Sequence, residues 1–145
     1  MEELWQPIDG YDGLYEVSNL GRVRSLDREV ATRGRSKEMR TRRLKGRILR
    51  QGQVRGRYFV NLSKHDHPWV VPVHCLVARA FLGPKPKGLE IDHVNGDFQD
   101  NRAENLEYVT HQENQKRAYD LGKLKPPKND RDPITGKWCS ARSVP

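Results

Sequence analysis

The chain has 145 residues, of which 34% are hydrophobic, and its formal net charge is +8. This length suits one compact domain or two very small ones, and the composition leaves much of the surface polar. No segment approaches the roughly 20 apolar residues that a membrane-spanning helix needs. The first ten residues are acidic and lack the apolar stretch of a signal peptide, so we expect a cytoplasmic protein without a membrane partner.

The positive charge is concentrated in one segment. Residues 21–58 contain fourteen Lys and Arg side chains, twelve of them Arg, against three acidic ones. The planar guanidinium group of arginine matches the geometry of phosphates and of guanine edges. This distribution favours a nucleic-acid-binding segment over a solvated basic loop, and it suggests that the remainder of the chain has a different task.

The N-terminal part of the chain has the pattern of short strands separated by turns. Two Asp-Gly pairs are turn signals, and Tyr15, Val17 and Val23 alternate with polar residues as in a half-buried strand. The charged stretch 27–46 has almost no apolar residues. We therefore expect it to be a flexible arm that becomes ordered only on a nucleic acid.

The middle of the chain continues with strands and then changes to a short helix. The predicted strands are 47–50, 58–63 and 69–73. Pro72 indicates that the last of these lies at a sheet edge. Apolar residues at helical spacing predict a packed helix over 74–82, and we expect His74 at its start to be structural or to face a phosphate.

The following segment has the pattern strand, polar loop, strand and helix. The sequences EIDHV at 90–94 and LEYV at 106–109 predict the two strands. Thr110 and Glu113 form the sequence pattern of a capping box at the start of the helix. Gly122 marks the end of that helix.

The side chains that could carry chemistry fall in this last unit. Asp92 and His93 are consecutive on its first strand, Asn105 just precedes the second strand, and Asn114 lies in the first turns of the helix. Oxygen donors from Asp and Asn suit Mg²⁺, which keeps several waters and takes few protein ligands. A neutral imidazole suits the removal of a proton from water. Metal-assisted phosphodiester hydrolysis requires such a set.

Three stretches carry a resemblance to a known family. Residues 91–118, IDHVNGDFQDNRAENLEYVTHQENQKRA, resemble the HNH (His-Me finger, ββα-metal) endonuclease motif. The resemblance is to the phage intron-homing type, in which asparagine replaces the last histidine. Residues 3–25 resemble the nuclease-associated modular (NUMOD-type) motif at the start of such enzymes, and HCLVARAFLGPKP resembles the segment that joins the two. The resemblance covers about residues 3–120.

The resemblance implies a DNA endonuclease that uses Mg²⁺ or Mn²⁺, one ion per active site, on double-stranded DNA. It implies that His93 is the general base and that Asp92 and Asn114 are metal ligands. Asn105 corresponds to the amide that braces the hairpin and orients the histidine. His111, three residues before Asn114, stays open as an alternative metal ligand.

The expected fold is α+β, with an N-terminal antiparallel β-sheet followed by a ββα-metal finger. The predicted division is a β-rich DNA-binding region at 1–73, a helix and nuclease finger at 74–122, and a flexible tail at 123–145. The zinc-binding cysteine pairs of some relatives are absent, so packing alone is predicted to hold the finger together.

Arginine side chains of the basic segment, and one beside the site, are the expected DNA contacts. They are Arg22, Arg24, Arg33, Arg35, Arg40, Arg42, Arg43, Arg47 and Arg102. We expect these contacts to position the DNA backbone, since phosphate contacts carry no sequence information directly.

The biological setting and the number of subunits stay open. A phage or mobile-element origin would place the protein in the cytoplasm of the host cell. A monomer with one active site is expected to nick double-stranded DNA, whereas a homodimer could cut both strands. Two other readings also stay open: a non-catalytic DNA-binding protein on an HNH-like scaffold, and a protein that binds or cuts RNA.

Overall fold

The computed structural model describes residues 1–124 and has an α+β fold. Its strands are β1 (Trp5–Pro7), β2 (Tyr15–Ser18), β3 (Val23–Ser25), β4 (Arg28–Arg33), β5 (Met39–Leu44), β6 (Arg47–Ile48), β7 (Gly52–Val54), β8 (Arg57–Lys64), β9 (His67–Pro72), β10 (Leu89–His93) and β11 (Leu106–Thr110). Its helices are α1 (Val73–Phe81) and α2 (His111–Asp120). The predicted tail lies outside the described residues except for its first two. None of the described helices has the length and apolar character to cross a membrane.

Two antiparallel sheets form the N-terminal half. One has the strand order β1-β2-β3-β6 and the other the order β7-β8-β9. β9 lies at the edge of its sheet, as Pro72 predicted. β8 is joined to both neighbours by two-residue turns whose central residues have positive φ: Arg55 and Gly56 before it, His65 and Asp66 after it. Such turns match the right-handed twist of antiparallel strands.

The hydrophobic core lies between these sheets and α1. Its buried members are Ile8, Tyr15, Val17, Val23, Val60, Leu62, Val73, Leu76, Val77, Ala78 and Leu106. The helix contributes Val73, Leu76, Val77 and Ala78. Leu76 and Val77 belong to the predicted apolar face, whereas Ala80 and Phe81 of that face are only partly buried. Leu106 brings the first residue of β11 into the same cluster. One core therefore runs across residues 73 and 74, where the sequence predicted a boundary, and that division stays a prediction.

The segment 27–46 is a β-hairpin, and the prediction of a flexible arm is wrong. β4 and β5 pair over six residues, from Arg28 opposite Leu44 to Arg33 opposite Met39, and form a sheet of their own. Most of its side chains are exposed. Main-chain hydrogen bonds and cross-strand neighbours can hold such a ribbon without the apolar pattern on which the prediction relied. We name this segment the arginine hairpin.

Two smaller differences concern the strands beside it. The predicted strand at 47–50 is shorter, because only Arg47 and Ile48 pair with β3. β7 is present at Gly52–Val54, between the predicted strands 47–50 and 58–63, where the sequence predicted no strand. This strand was not predicted because Gly52 has a low propensity for strands.

The C-terminal unit consists of β10, β11 and α2, as predicted. β10 and β11 pair antiparallel over five residues. Thr110 and Glu113 form the predicted capping box, in which each side chain accepts from the main-chain N–H of the other residue. We name residues 89–120 the finger.

Candidate active site

His93 is buried at the end of β10, with 2% of its surface exposed. Its Nε2 lies 3.0 Å from Oδ1 of Asn101. Because an amide oxygen can only accept a hydrogen bond, this contact places the proton on Nε2 and leaves Nδ1 unprotonated in the neutral ring. The rings of His74 and Phe98 pack against it, with centroids 5.5 and 5.6 Å away. His93 therefore has a fixed ring and a defined basic nitrogen.

His74 supports that ring as a neutral side chain. Burial lowers the pKa of His74 to about 4, and the nearby Arg57 and His93 add to this effect. An uncharged ring can pack against His93 without repelling a proton from it. The expectation was that His74 is structural or faces a phosphate, and its contact with the ring of His93 is a structural one.

Asn105 closes the polar loop between β10 and β11. Its Nδ2 donates to the main-chain oxygen of Asp100 at 2.8 Å and to Oδ1 of Asn95 at 3.0 Å. Its Oδ1 accepts from the main-chain N–H of Asn95 at 3.0 Å, and its main-chain oxygen accepts from Val94. Asn105 thus braces the loop, but the contact to the ring of His93 comes from Asn101.

Sequence analysis missed Asn101, because nothing local distinguishes it from the other Asn and Asp residues of this loop. Its position depends on the turn between β2 and β3. There Gly21 has a φ of +85°, and a Cβ at this residue would lie 3.1 Å from Cβ of Asn101. The main-chain N–H of Ala103 also donates to the carbonyl of Asn19 at 2.8 Å. The N-terminal sheet therefore supports the loop that holds His93.

Asp92 accepts hydrogen bonds on both carboxylate oxygens. Its Oδ1 accepts from the main-chain N–H of His93 at 2.9 Å, and its Oδ2 accepts from Nη1 of Arg117 at 3.1 Å. Arg117 also pairs with Glu107, which lies opposite Asp92 in the strand register. These two carboxylates, Glu107 first, raise the pKa of Arg117.

Asn114 and His111 both contact Glu90. Nδ2 of Asn114 donates to Oε2 of Glu90 at 2.7 Å, and Nδ1 of His111 lies 2.8 Å from Oε1. Nε2 of His111 lies 2.9 Å from the side-chain nitrogen of Gln115. Both ring nitrogens of His111 are thus engaged, whereas Oδ1 of Asn114 has no hydrogen-bond partner within residues 1–124. This difference favours Asn114 over His111 as the metal ligand.

Polar contacts hold α2 against the hairpin of the finger. The helix has no buried residue. His111, Asn114 and Arg117, three residues apart and hence on one helix face, contact the carboxylates of β10 and β11. These polar contacts add to the packing of Leu106 in the core, and the prediction that packing holds the finger without zinc stays a prediction.

The donor chemistry of Asp92 and Asn114 fits a hard divalent cation. A carboxylate and an amide oxygen are ligands that Mg²⁺ takes beside several waters, whereas a zinc site would use Cys and His. Within residues 1–124, no three His, Cys, Asp or Glu side chains are grouped so that they could hold a metal. The two-donor set is consistent with that finding, since one of its donors is an amide.

The predicted DNA-contacting arginines fall into two groups. The first group is engaged in ion pairs. Arg22 pairs with Glu3 and Arg24 with Glu16, and Arg102 pairs with both Asp100 and Glu104. Contact with Arg102 lowers the pKa of Asp100 to about 2. The second group, Arg33, Arg35, Arg40, Arg42 and Arg43, lies on the arginine hairpin, and Arg47 follows it in β6.

The arginine hairpin has two different faces. Arg40 and Arg42 lie opposite Thr32 and Val30, and this face also carries Arg28 and Leu44. Arg43 lies on the other face and pairs with Asp27 at 3.3 Å. A cavity of about 400 Å³ opens at the base of the first face, and its basic lining residues are Arg28, Arg42, Lys45 and Arg47. The structure thus brings Arg42 and Arg47 together and separates them from Arg43.

The site consists of a braced histidine beside an acidic residue on a ββα finger, and a β-rich segment precedes this finger in the chain. The profile of the HNH endonuclease family matches residues 71–116, and that of the NUMOD4 motif matches residues 3–63. Residues 71–116 therefore form an HNH endonuclease domain and residues 3–63 a NUMOD4 motif, and HNH endonucleases generally use a divalent metal ion.

Particular relatives agree with this assignment. The chain is 33% identical over 120 residues to the DNA endonuclease I-HmuI of Bacillus phage SP01, covering 83% of this chain and 60% of that protein. It is 35% identical over 123 residues to the uncharacterized HNH endonuclease L247 of Acanthamoeba polyphaga mimivirus, covering 81% of this chain and 26% of that protein. This chain thus spans 60% or less of these relatives.

One solved structure shares the fold over most of the described residues. It is reported as DNA binding and cleavage by the HNH homing endonuclease I-HmuI. The match has a TM-score of 0.66 at 30% identity and covers 87% of this chain and 62% of that chain. The expected order of an antiparallel sheet followed by a ββα finger is confirmed.

Proposed function

We propose that this protein is a metal-dependent endonuclease that hydrolyses phosphodiester bonds in double-stranded DNA. The observation that carries the proposal is the contact between His93 and Asn101, which leaves Nδ1 of His93 as the basic nitrogen. That nitrogen belongs to the residue next to Asp92, on the strand that α2 covers. General-base catalysis requires a positioned nitrogen in a defined protonation state.

In the proposed mechanism, Nδ1 of His93 accepts a proton from the attacking water while Asn101 holds the opposite side of the ring. The water oxygen bonds to phosphorus, and the bond from phosphorus to the 3′ oxygen breaks. Asp92 and Asn114 would hold one Mg²⁺ or Mn²⁺ ion. When bound, this ion polarises the phosphate and stabilises negative charge on the leaving oxygen.

DNA binding is assigned to the arginine hairpin and to the basic cavity at its base. Arg40 and Arg42 are exposed there, and no carboxylate within residues 1–124 lies closer to either than the 3.9 Å between Arg40 and Glu38. Side chains free of strong internal pairs can neutralise phosphates and release counterions. Arg22, Arg24 and Arg102 are weaker candidates, because their ion pairs must open before they bind DNA.

The direct test uses supercoiled plasmid with Mg²⁺, with Mn²⁺ and with EDTA. We expect His93→Ala to lower the cleavage rate by about 10²- to 10⁴-fold, the usual contribution of a general base. Affinity for DNA should stay within about twofold of wild type, since binding is assigned to the distant hairpin. His67→Ala removes an exposed histidine of β9 and serves as the matched control.

Equal cleavage by His93→Ala and wild type would refute the mechanism. Absence of cleavage by the wild type under every metal condition, with DNA binding retained, would favour the non-catalytic alternative. A matched RNA duplex tests the remaining alternative, because cleavage of RNA in preference to DNA would overturn the proposed substrate.

The number of cuts follows from the number of active sites. A monomer carries one His93 and attacks one strand at a time, so we expect open-circular plasmid to accumulate before linear plasmid. Gel analysis of a time course measures this order. Linear DNA that rises directly from the supercoiled form would indicate a paired enzyme.

A further inference from the structure

Glu90 is a contact point that the proposed mechanism does not use. It lies two residues before Asp92 on β10, so the two side chains are on the same face of the strand, the face that α2 covers. Its carboxylate joins two residues of that helix, with Oε2 bonded to Asn114 at 2.7 Å and Oε1 to His111 at 2.8 Å. These hydrogen bonds, that of Asn114 first, lower the pKa of Glu90.

We propose that Glu90 is a positioning residue that fixes which end of the Asn114 amide faces the metal. This inference rests on the proposed function. An asparagine amide has an oxygen end and an NH₂ end that exchange on rotation, and only the oxygen can bind a cation. By accepting from Nδ2, Glu90 holds the NH₂ end and leaves Oδ1 available. Groups that orient metal ligands in this way commonly change metal affinity when they are removed.

The chemistry of the three side chains requires a residue that only accepts hydrogen bonds. Nδ2 of Asn114 is a donor, and Nδ1 of His111 is also a donor, since Nε2 of that ring faces the NH₂ group of Gln115. A carboxylate offers two accepting oxygens and satisfies both. A glutamine at residue 90 would turn its own NH₂ group toward one of these donors, so one contact would be lost.

A purely stabilising role does not account for this arrangement. The side chain of Glu90 is 41% exposed and that of His111 is 66% exposed. Pairs this exposed contribute little to the free energy of folding. The main effect of these contacts is therefore to orient Asn114. His111 contacts the other carboxylate oxygen of Glu90 and is itself held by Gln115.

The test measures Mn²⁺ affinity by titration calorimetry on the protein bound to an uncleavable phosphorothioate duplex. We expect Glu90→Gln to weaken Mn²⁺ binding by about 10-fold, the lower end of the range for such supporting residues. Asp120→Asn makes the same charge change on exposed α2 surface and should leave the affinity within twofold.

A double-mutant cycle separates positioning from a general effect of negative charge. If Glu90 acts through Asn114, adding Glu90→Gln to Asn114→Ala should change Mn²⁺ affinity no further. A further loss in the double variant, or wild-type affinity of Glu90→Gln beside a weakened Asn114→Ala, would overturn the inference and leave the proposed function intact. Wild-type protein that binds no Mn²⁺ would overturn both.

Discussion

The arginine hairpin and the finger are both built on two antiparallel strands rich in charged residues, yet they use those charges in opposite ways. In the hairpin, Arg40 and Arg42 are exposed, and the one ion pair of either within residues 1–124 is the long contact of 3.9 Å between Arg40 and Glu38. In the finger, the carboxylates of β10 and β11 face His111, Asn114 and Arg117 of the covering helix. One ribbon leaves its charged side chains exposed, and the other uses charge to hold its own side chains in place.

From this difference we expect that substitutions that change DNA affinity and substitutions that change the cleavage rate fall in different parts of the chain. Exposed arginines act through counterion release, which is long-range and tolerant of small displacements. A catalytic group acts only within a narrow geometry. Changes in the hairpin should therefore alter affinity, and changes in the finger should alter the rate at saturating DNA.

The largest change in cleavage rate among the three tests of this comparison is expected from a substitution at Asn101. Asn101→Ala removes the acceptor at Nε2 of His93, so the ring loses its fixed tautomer. We expect kcat to fall about 100-fold, less than the roughly 10⁴-fold loss seen when an orienting group in a serine-protease triad is changed. KM for a plasmid substrate should hardly change. Gln99→Ala, an exposed amide of the same loop, is the control. A drop in affinity with unchanged kcat would break the separation.

The next effect concerns the two faces of the hairpin. Arg40→Ala combined with Arg42→Ala should reduce the slope of log affinity against log salt by about 2, because each lost phosphate contact contributes about 0.9. Affinity for all sequences should fall alike, whereas kcat should not change. Arg43→Ala is the control, since this side chain lies on the opposite face and pairs with Asp27. Equal slopes for Arg43→Ala and the double variant would show that the faces are not distinct.

The smallest effect is expected at the start of α2. Thr110→Ala removes the capping box of a helix that buries no residue, and should lower the free energy of unfolding by about 1 kcal/mol. Thr41→Ala changes an exposed residue of the hairpin and should alter it by less than about 0.5 kcal/mol. Urea denaturation measures both. Equal destabilisation by the two variants would mean that the cap does not anchor the finger.

The elements of the finger could be predicted because their signals are local. The capping box at Thr110 and the strands around it follow from a few consecutive residues. The hairpin was mistaken for a flexible arm because strand prediction relies on apolar alternation, and a ribbon held mainly by main-chain hydrogen bonds need not have it.

The candidate site could be predicted only in part for the same reason. Asp92, His93 and Asn114 fall at a spacing that the resemblance supplies, and their roles stay predictions. Asn101 is placed by a turn about eighty residues earlier in the chain, so no local pattern identifies it. Glu90 did have a usable signal, since its alternation with Asp92 puts both carboxylates on one face of a strand.

The contact between Gly21 and Asn101 limits how freely the two motifs of this chain can be recombined. A side chain larger than hydrogen at residue 21 would need to displace the loop, and it would also strain a backbone whose φ is +85°. We therefore expect a chimera with a foreign N-terminal motif to keep the loop around His93 undisturbed more readily when the new motif supplies a glycine at the same turn. Exchange of the N-terminal motif is therefore constrained at residue 21, where glycine places only a hydrogen beside Asn101.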